Sequence, residues 1–195
     1  MAGPRSRLRV SAGRWKGRHL EIPRRARPTS SLAREALFDM LQDSVPGAAV
    51  LDLFAGSGAV GIEALSRGAA RAVFVERDRE ALERNLERLG ASAQEAEILG
   101  VEAERAIASL DDRGARFDLV FADPPYTEPA GDGLLEGAAR LLRPGGLLVL
   151  QRDTRDSRVA AGEPEGLSLV RRKSYGRNVL DFYARSSSSW GREIP

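Results

Sequence analysis

The stretch AAVLDLFAGSGAVGIEALSRG, residues 48–68, sets the architecture of the chain. Its first part is apolar except for Asp52, as expected of a strand that is buried on both faces of a sheet. Its last part places apolar residues at helical spacing and closes at Gly68, a residue type common at helix C-termini. Three glycines lie where the strand gives way to the helix: Gly56, Gly58 and Gly61. The stretch therefore predicts one strand–turn–helix unit of an α/β sheet.

The same alternation of apolar strands and amphipathic helices continues along the chain. Further buried strands are predicted at residues 71–76, 95–100, 117–123 and 147–152, with helices between them. Residues 167–176 and 178–185 then predict two strands joined by a turn that contains Gly176. We therefore predict an α/β, Rossmann-like fold: a mostly parallel seven-stranded sheet with helices on both faces and a C-terminal antiparallel hairpin.

The composition excludes several kinds of chemistry. The 195 residues include no cysteine and a single histidine, His19, so cysteine nucleophiles, thiolate metal sites and histidine clusters are excluded. No apolar run approaches the roughly 20 residues that span a membrane. The N-terminus lacks the apolar core of a signal peptide. We therefore predict a cytoplasmic protein without a metal or a membrane partner, and a monomer is the default expectation.

Positive charge is concentrated at the N-terminus. Residues 1–34 contain ten of the 30 lysines and arginines, and Glu21 is their only acid, so the rest of the chain is net acidic. A basic segment on an acidic body predicts contact with nucleic-acid phosphates, although a solvated tail would have the same composition. Apolar residues interleave with these charges and favour a short hairpin: Val10, Trp15, Leu20 and Ile22. We predict a basic arm or hairpin at 1–27, a catalytic domain at 28–185 and a flexible tail at 186–195.

Three predicted strands carry a carboxylate at their C-terminal ends: Asp52, Glu76 and Asp123. In open α/β sheets, ligands bind at these ends. The glycines match the pattern G-x-G-x-x-G, and Glu76 lies 20 residues after Gly56, as in dinucleotide sites. The carboxylate of Asp52 would repel a pyrophosphate but suits the ammonium and sulfonium groups of S-adenosylmethionine (SAM), whose ribose Glu76 could hold. A purely structural role for Asp52, as a cap of the following turn, remains an alternative.

The segment FADPPY, residues 121–126, ends a predicted strand with chemistry suited to an amine. The exocyclic amino group of a base is a poor nucleophile because its lone pair is delocalised into the ring. Asp123 could accept one amino hydrogen, and the carbonyl of Pro124, whose direction the prolines fix, could accept the other. Tyr126 could stack on an extruded base. The alternative is a proline-rich turn with a surface tyrosine.

These motifs resemble a known family. LDLFAGSGAVGIEALSRGA together with FADPPY resembles class I SAM-dependent methyltransferases that modify exocyclic amines. RVSAGRWKGRHLEIP and RPTSSLAREALFDML narrow the resemblance to the bacterial small-subunit (16S) ribosomal RNA guanine-N2 methyltransferases, over residues 8–185. The resemblance implies SAM as the cofactor and, as the substrate, a guanine in small-subunit rRNA, either in naked RNA or in the assembled 30S particle.

The resemblance also implies roles for individual residues. Asp123, Pro124 and Tyr126 would form the target pocket. Glu102 and Ala103 stand where the family usually has Asp or Asn, followed by Ala, near the adenine. The expected cofactor contacts are Arg27, Thr29, Asp52, Phe54, Ala55, Gly56, Ser57, Gly58, Glu76, Arg77, Glu102, Ala103 and Asp123. The expected RNA contacts are Arg9, Arg14, Lys16, Arg18 and Arg34.

Three other functions remain open at this stage. An N6-adenine methyltransferase acting on DNA would share the chemistry but would normally need a DNA-recognition domain, for which the chain has no room. An NAD-dependent oxidoreductase would use the glycine motif but would leave FADPPY unexplained. A non-catalytic RNA-binding protein would use only the basic arm, and the intact Asp123 and Tyr126 argue against it.

Overall fold

The computed structural model describes residues 8–23, 31–125, 132–154 and 165–185. Its strands are β1 (Ala49–Leu53), β2 (Arg71–Val75), β3 (Ala96–Leu99), β4 (Phe117–Ala122), β5 (Leu142–Asp153), β6 (Leu167–Tyr175) and β7 (Asn178–Arg185). Its helices are α1 (Ser31–Met40), α2 (Ala59–Ser66), α3 (Glu80–Leu89), α4 (Ala103–Asp112) and α5 (Asp132–Leu141).

The strands form one sheet in the order β3-β2-β1-β4-β5-β7-β6. The first five strands pair in parallel, and β7 pairs antiparallel with both β5 and β6. The predicted mostly parallel seven-stranded sheet with a C-terminal antiparallel hairpin is therefore confirmed. Because β1 lies between β2 and β4, the ends of these three strands meet at one edge of the sheet, which we call the carboxyl edge.

Helices cover both faces of the sheet, as predicted. Apolar side chains of α1, α2 and α3 pack against one face, which we call the α1 face, and those of α4 and α5 pack against the other. All five residues of β1 are buried, in agreement with its apolar sequence. In the described part of the chain, no helix has the length and apolar character needed to cross a membrane.

The strand β5 begins earlier than the sequence indicates. The sequence predicts this strand from residue 147, yet Leu142 already pairs with Phe117 of β4. The register then shifts, and regular pairing continues from Leu119 and Leu147. Gly145, with φ +78°, provides the local bend that a proline–glycine segment allows in a strand.

Residues 8–20 form a hairpin that packs on the body of the protein. Its backbone bonds include Leu20 N–H to the Leu8 carbonyl at 2.9 Å and Val10 N–H to the Arg18 carbonyl at 3.0 Å. The side chains of Leu8, Val10, Trp15 and Leu20 are buried in the same apolar cluster as α1 and α2. Over its described residues, the arm is thus part of the same apolar core as α1 and α2.

A buried carboxylate, Glu63 of α2, fastens this arm. Its two oxygens accept hydrogen bonds from Ser11 N–H at 2.8 Å and Ala12 N–H at 3.0 Å, and also from the Ser11 hydroxyl. Arg67 donates to the same carboxylate at 2.9 Å, and Arg34 Nε lies 3.6 Å from it. Since Glu63 is fully buried, these partners are what stabilise its charge in the interior.

We expect Glu63→Ala to lower the free energy of unfolding by about 3–5 kcal/mol, because it leaves the buried Arg34 without its carboxylate. The arm should also loosen, so that trypsin cuts after Lys16 faster than in the parent protein. Urea unfolding and timed proteolysis measure the two effects. Glu87→Ala, on the exposed side of α3, is the matched control and should change stability by less than about 0.5 kcal/mol. A Glu63→Ala protein with parental stability and proteolysis would show that this carboxylate does not hold the arm.

Candidate active site

The glycine loop between β1 and α2 combines close packing with an open backbone. A Cβ atom at Gly61 would lie 2.3 Å from the ring of Phe74, so this glycine permits α2 to pack directly on β2. Gly58 is the N-cap of α2, with φ +77°, and a Cβ there would lie 2.4 Å from Leu82. At Gly56, with φ +55°, a Cβ would meet no atom within 4 Å. The backbone at Gly56 is therefore open to a ligand, whereas the other two glycines serve packing and helix initiation.

Phe54 precedes this loop in a left-handed conformation, with φ +62°. Positive φ is uncommon for an aromatic residue and costs free energy, and such residues cluster at ligand sites. Among the described residues it is the only one other than glycine with this geometry. The strain thus falls on the loop that the family resemblance assigns to the cofactor.

Glu76 follows β2 directly and holds the loop. Its Oε2 accepts a hydrogen bond from Gly56 N–H at 2.7 Å, and its Oε1 accepts one from Asp78 N–H at 3.0 Å. Each carboxylate oxygen can accept a second bond, so both retain capacity for ribose hydroxyls. The prediction that Glu76 binds ribose is compatible with this geometry, and the carboxylate also fixes the backbone beside the predicted cofactor.

Asp52 lies within β1, one residue before its end, and is 2% exposed. Its Oδ2 accepts a hydrogen bond from Gly61 N–H at 2.9 Å. Gly61 is the third residue of α2, and the N-cap Gly58 has no side chain with which to cap the helix. Asp52 therefore caps α2 from a neighbouring strand, which is the structural alternative considered from the sequence.

The pKa of Asp52 is raised to about 7, mainly by burial and also by the negative charges of Asp123 and Glu76, whereas the hydrogen bond from Gly61 opposes the rise. A carboxyl group in this environment would be stabilised in its charged form by a nearby cation. SAM carries two positive groups at its methionine end. This edge, with an open backbone at Gly56 and the carboxylates of Asp123 and Glu76 near Asp52, fits SAM.

Asp123 follows β4 directly and is held by a residue that the sequence did not reveal. Gln151 of β5 donates from Nε2 to Asp123 Oδ2 at 2.8 Å. Gln151 is 3% exposed, and its Oε1 is buried without a hydrogen-bond partner among the described residues. In the sequence, Gln151 is only a polar residue near the end of an apolar run. The pairing of β5 with β4 places its side chain beside Asp123.

The remaining predicted cofactor residues lie in three different places. Arg77 and Glu102 form an exposed ion pair at 2.9 Å, and Glu102 is the N-cap of α4, which begins with the buried Ala103. Ser57 lies in the loop and is 7% exposed, next to the half-buried Ala55. The predicted cofactor residues Arg27 and Thr29 lie outside the described residues, as does Tyr126 of the predicted target pocket.

Asn85 of α3 connects the glycine loop to the arm and was also missed from the sequence. Its side chain is 1% exposed and donates from Nδ2 to the carbonyls of Ser57 and Glu21, both at 2.9 Å. Its Oδ1 accepts a bond from Glu21 N–H at 2.7 Å. An asparagine on a charged helix gives no sign of this role in the sequence alone.

One predicted RNA contact needs correction. Arg34 is 1% exposed and donates to the carbonyl of Arg9 at 2.6 Å, inside the network of Glu63. Its guanidinium is therefore not presented to a phosphate, and burial lowers its pKa, opposed mainly by the charge of Glu63. The sequence counted Arg34 among the basic N-terminal charges because a count of charges carries no information on burial.

The other predicted RNA contacts lie on the hairpin surface, and some of them have partners. Arg14 forms an ion pair with Glu95 at 2.7 Å and stacks over Trp15, and Arg18 donates to the carbonyl of Arg88 at 2.9 Å. Arg9 and Lys16 are exposed. Trp15 N–H donates to Ser66 Oγ at the C-terminal end of α2, so the tip of the hairpin lies away from the carboxyl edge.

No cluster of three or more metal-ligating side chains occurs within residues 8–23, 31–125, 132–154 and 165–185. The carboxylates at the carboxyl edge bond instead to backbone amides and to Gln151. Their chemistry is that of hydrogen-bond acceptors for an organic ligand.

Comparison with known proteins places this geometry in context. The family described as conserved hypothetical protein 95 matches residues 8–184. YlbH of Bacillus subtilis is 35% identical over 186 residues, which cover 91% of this chain and 99% of that protein. Ribosomal RNA small subunit methyltransferase D of Escherichia coli is 35% identical, with 92% of this chain and 91% of that protein covered. The solved structure of yhhF from Escherichia coli has a TM-score of 0.79 at 32% identity, covering 93% of this chain and 99% of that chain.

The raised pKa of Asp52 predicts opposite pH trends for folding and for SAM binding. Its contribution to stability is complete below the unfolded pKa of 3.8 and is lost as the pH rises through about 7. SAM should favour the charged carboxylate, so its affinity should rise roughly tenfold between about pH 6 and pH 8.

Calorimetric titration with SAM across this pH range measures the effect. Asp52→Asn is the matched control, which should bind more weakly and without this pH dependence if the variant remains folded. An affinity of the parent protein that stays flat across the range would contradict an electrostatic role of Asp52 in SAM binding.

Proposed function

Because the chain belongs to the conserved hypothetical protein 95 family and has a class I methyltransferase fold, we propose that it methylates the exocyclic N2 amine of a guanine in small-subunit rRNA. SAM is the methyl donor, as the sequence predicted. The observation that carries the proposal is the carboxylate of Asp123, oriented by Gln151 at the edge that also holds Glu76. The Escherichia coli relative named as a small subunit methyltransferase supports the substrate class.

SAM supplies an electrophilic methyl group on a sulfonium when it is bound. The task of the protein is then to make the guanine amine a better nucleophile. Asp123 would accept one amino hydrogen, and the carbonyl of the half-buried Pro124 would accept the other. Two acceptors favour a pyramidal nitrogen whose lone pair points at the methyl group. Gln151 holds one carboxylate oxygen in place, so the acceptor is oriented before the base arrives.

Tyr126 follows Pro125 in sequence and lies outside the described residues, so its role remains a prediction from the motif. A tyrosine ring at this point would give an extruded guanine a flat surface on which to stack. Exposed cations of the arm, Arg9 and Lys16, would hold phosphates of the same RNA. Such a substrate, as naked rRNA or as the 30S particle, would place the protein in the cytoplasm.

The decisive experiment is methylation of small ribosomal subunits that lack the modification, with labelled SAM, followed by mass spectrometry of the nucleosides. We expect N2-methylguanosine as the labelled product. Asp123→Ala is the control, which should bind SAM and lose turnover by on the order of 100-fold or more. N6-methyladenosine would contradict the proposed target, and SAM binding without any transfer would support a non-catalytic RNA-binding protein.

We expect Gln151→Leu to slow methyl transfer, because Asp123 would lose the donor that orients its carboxylate. The loss should be smaller than for Asp123→Ala, about tenfold in single-turnover rate, as for one hydrogen bond to a carboxylate of about 1.5 kcal/mol. The dissociation constant of SAM should stay unchanged. Leu148→Ile, a buried β5 variant facing the other cluster, controls for packing and should keep the parental rate. A parental rate in Gln151→Leu would show that Asp123 does not depend on this bond.

A further inference from the structure

The hairpin of β6 and β7 brings its turn to the carboxyl edge. Asn178, the first residue of β7, pairs with Asp153, the last residue of β5. Thr154 N–H donates to the carbonyl of Arg177 at 2.8 Å and fixes the turn there. Because β5 runs parallel to β4, this turn lies at the same edge of the sheet as Asp123.

Lys173 lies in the same row of residues as the proposed target pocket. Lys173 pairs with Leu180, Leu180 pairs with Gln151, and Gln151 bonds to Asp123. Three strand spacings of about 4.8 Å each place the backbones of Lys173 and Asp123 about 14 Å apart. This span corresponds to a few nucleotides of RNA.

The side chains in this row also share one face of the sheet. Leu180 and Phe182 belong to the cluster on the α1 face, and Tyr175 packs against that cluster. Arg171, two residues before Lys173, reaches Met40 of α1, with its Nη1 3.7 Å from the sulfur. Since side chains directly opposite one another on paired strands share a face, Lys173 points to the face that carries the arm.

The hairpin is basic from β6 through its turn. Every charged residue between Gly166 and Leu180 is a cation: Arg171, Arg172, Lys173 and Arg177. The buried Asp181 pairs with Arg172 and also with Arg152. Lys173 and Arg177 are exposed, and neither has an acidic partner in the described part of the chain.

Two other considerations bear on these charges. Cations on an edge strand can have a different role, which is to prevent pairing with another chain. β6 is such an edge strand. Protection of the sheet edge would explain Lys173 but not Arg177, which lies in the turn.

The tip of the N-terminal arm lies away from the carboxyl edge, so the cations at this tip do not reach phosphates beside the target base.

We propose that Lys173 and Arg177 bind phosphates of the substrate RNA next to the target nucleotide, so that the β6–β7 hairpin is a second RNA-docking surface. This inference rests on the proposed function of an RNA methyltransferase. Exposed cations without an acidic partner among the described residues match the charge of an RNA backbone, and each contact releases bound counterions. Tyr175, between the two cations, adds an aromatic surface at the same place.

The test compares salt dependence and kinetics on unmethylated small subunits. Lys173→Gln with Arg177→Gln should weaken binding and reduce the slope of log affinity against log salt by about 0.7 for each lost phosphate contact. KM for the subunit should rise at least severalfold, while kcat and the affinity for SAM stay at parental values. Arg105→Gln is the control, since Arg105 is exposed on α4, on the opposite face of the sheet, and should leave the slope unchanged.

The outcomes separate this inference from the proposed function. If the parent protein binds and methylates the subunits but the double variant keeps the parental slope and KM, the hairpin is not a docking surface. If that variant instead aggregates in sedimentation experiments with an unchanged slope, the cations protect the sheet edge and the inference is overturned. If the parent protein neither binds nor methylates the subunits, the proposed function falls, and this inference falls with it.

Discussion

The hydrogen bond from Gly61 N–H to the buried carboxylate of Asp52 is the contact on which the rest of the site depends. It ties the first turn of α2 to the central strand β1 and so fixes the glycine loop between them. A buried carboxylate is costly, which is why burial raises its pKa to about 7. Burying a carboxylate costs free energy of folding. A cationic ligand bound here would offset that cost, because it would stabilise the charge that burial disfavours.

Helix α2 connects the cofactor loop to the arm. Its N-terminus borders the cofactor loop, while Glu63 and Ser66, further along, hold the hairpin of residues 8–20. Asn85 adds a second connection by bonding to both Ser57 and Glu21. The cofactor loop and the arm are therefore positioned by the same rigid elements, and the cations of the arm keep a fixed place relative to SAM.

The sequence predicted those features that depend on local pattern. Apolar runs predicted the strands, the glycines predicted the loop, and position directly after a strand marked Glu76 and Asp123. Gln151 and Asn85 were missed because their roles come from neighbours distant in sequence, 28 residues away for both Asp123 and Ser57. Arg34 was misassigned for a related reason: its partner Glu63 lies on another helix, and their pairing buries a charge that composition would place on the surface.

Under the proposed function, the positions of the basic residues separate RNA binding from methyl transfer. The tip of the arm lies by the C-terminal end of α2, and the β6–β7 turn lies by Asp123, at opposite ends of the sheet. A five-residue strand such as β1 spans roughly 17 Å, so an RNA that touches both ends must lie along the α1 face. Under the proposed function, contacts at the far end would add affinity without entering the methyl-transfer step, whereas contacts at the carboxyl edge would set the position of the base. The protein would then hold a large, highly charged substrate over a wide surface, while a few atoms around the half-buried Asp123 would orient the reacting nitrogen.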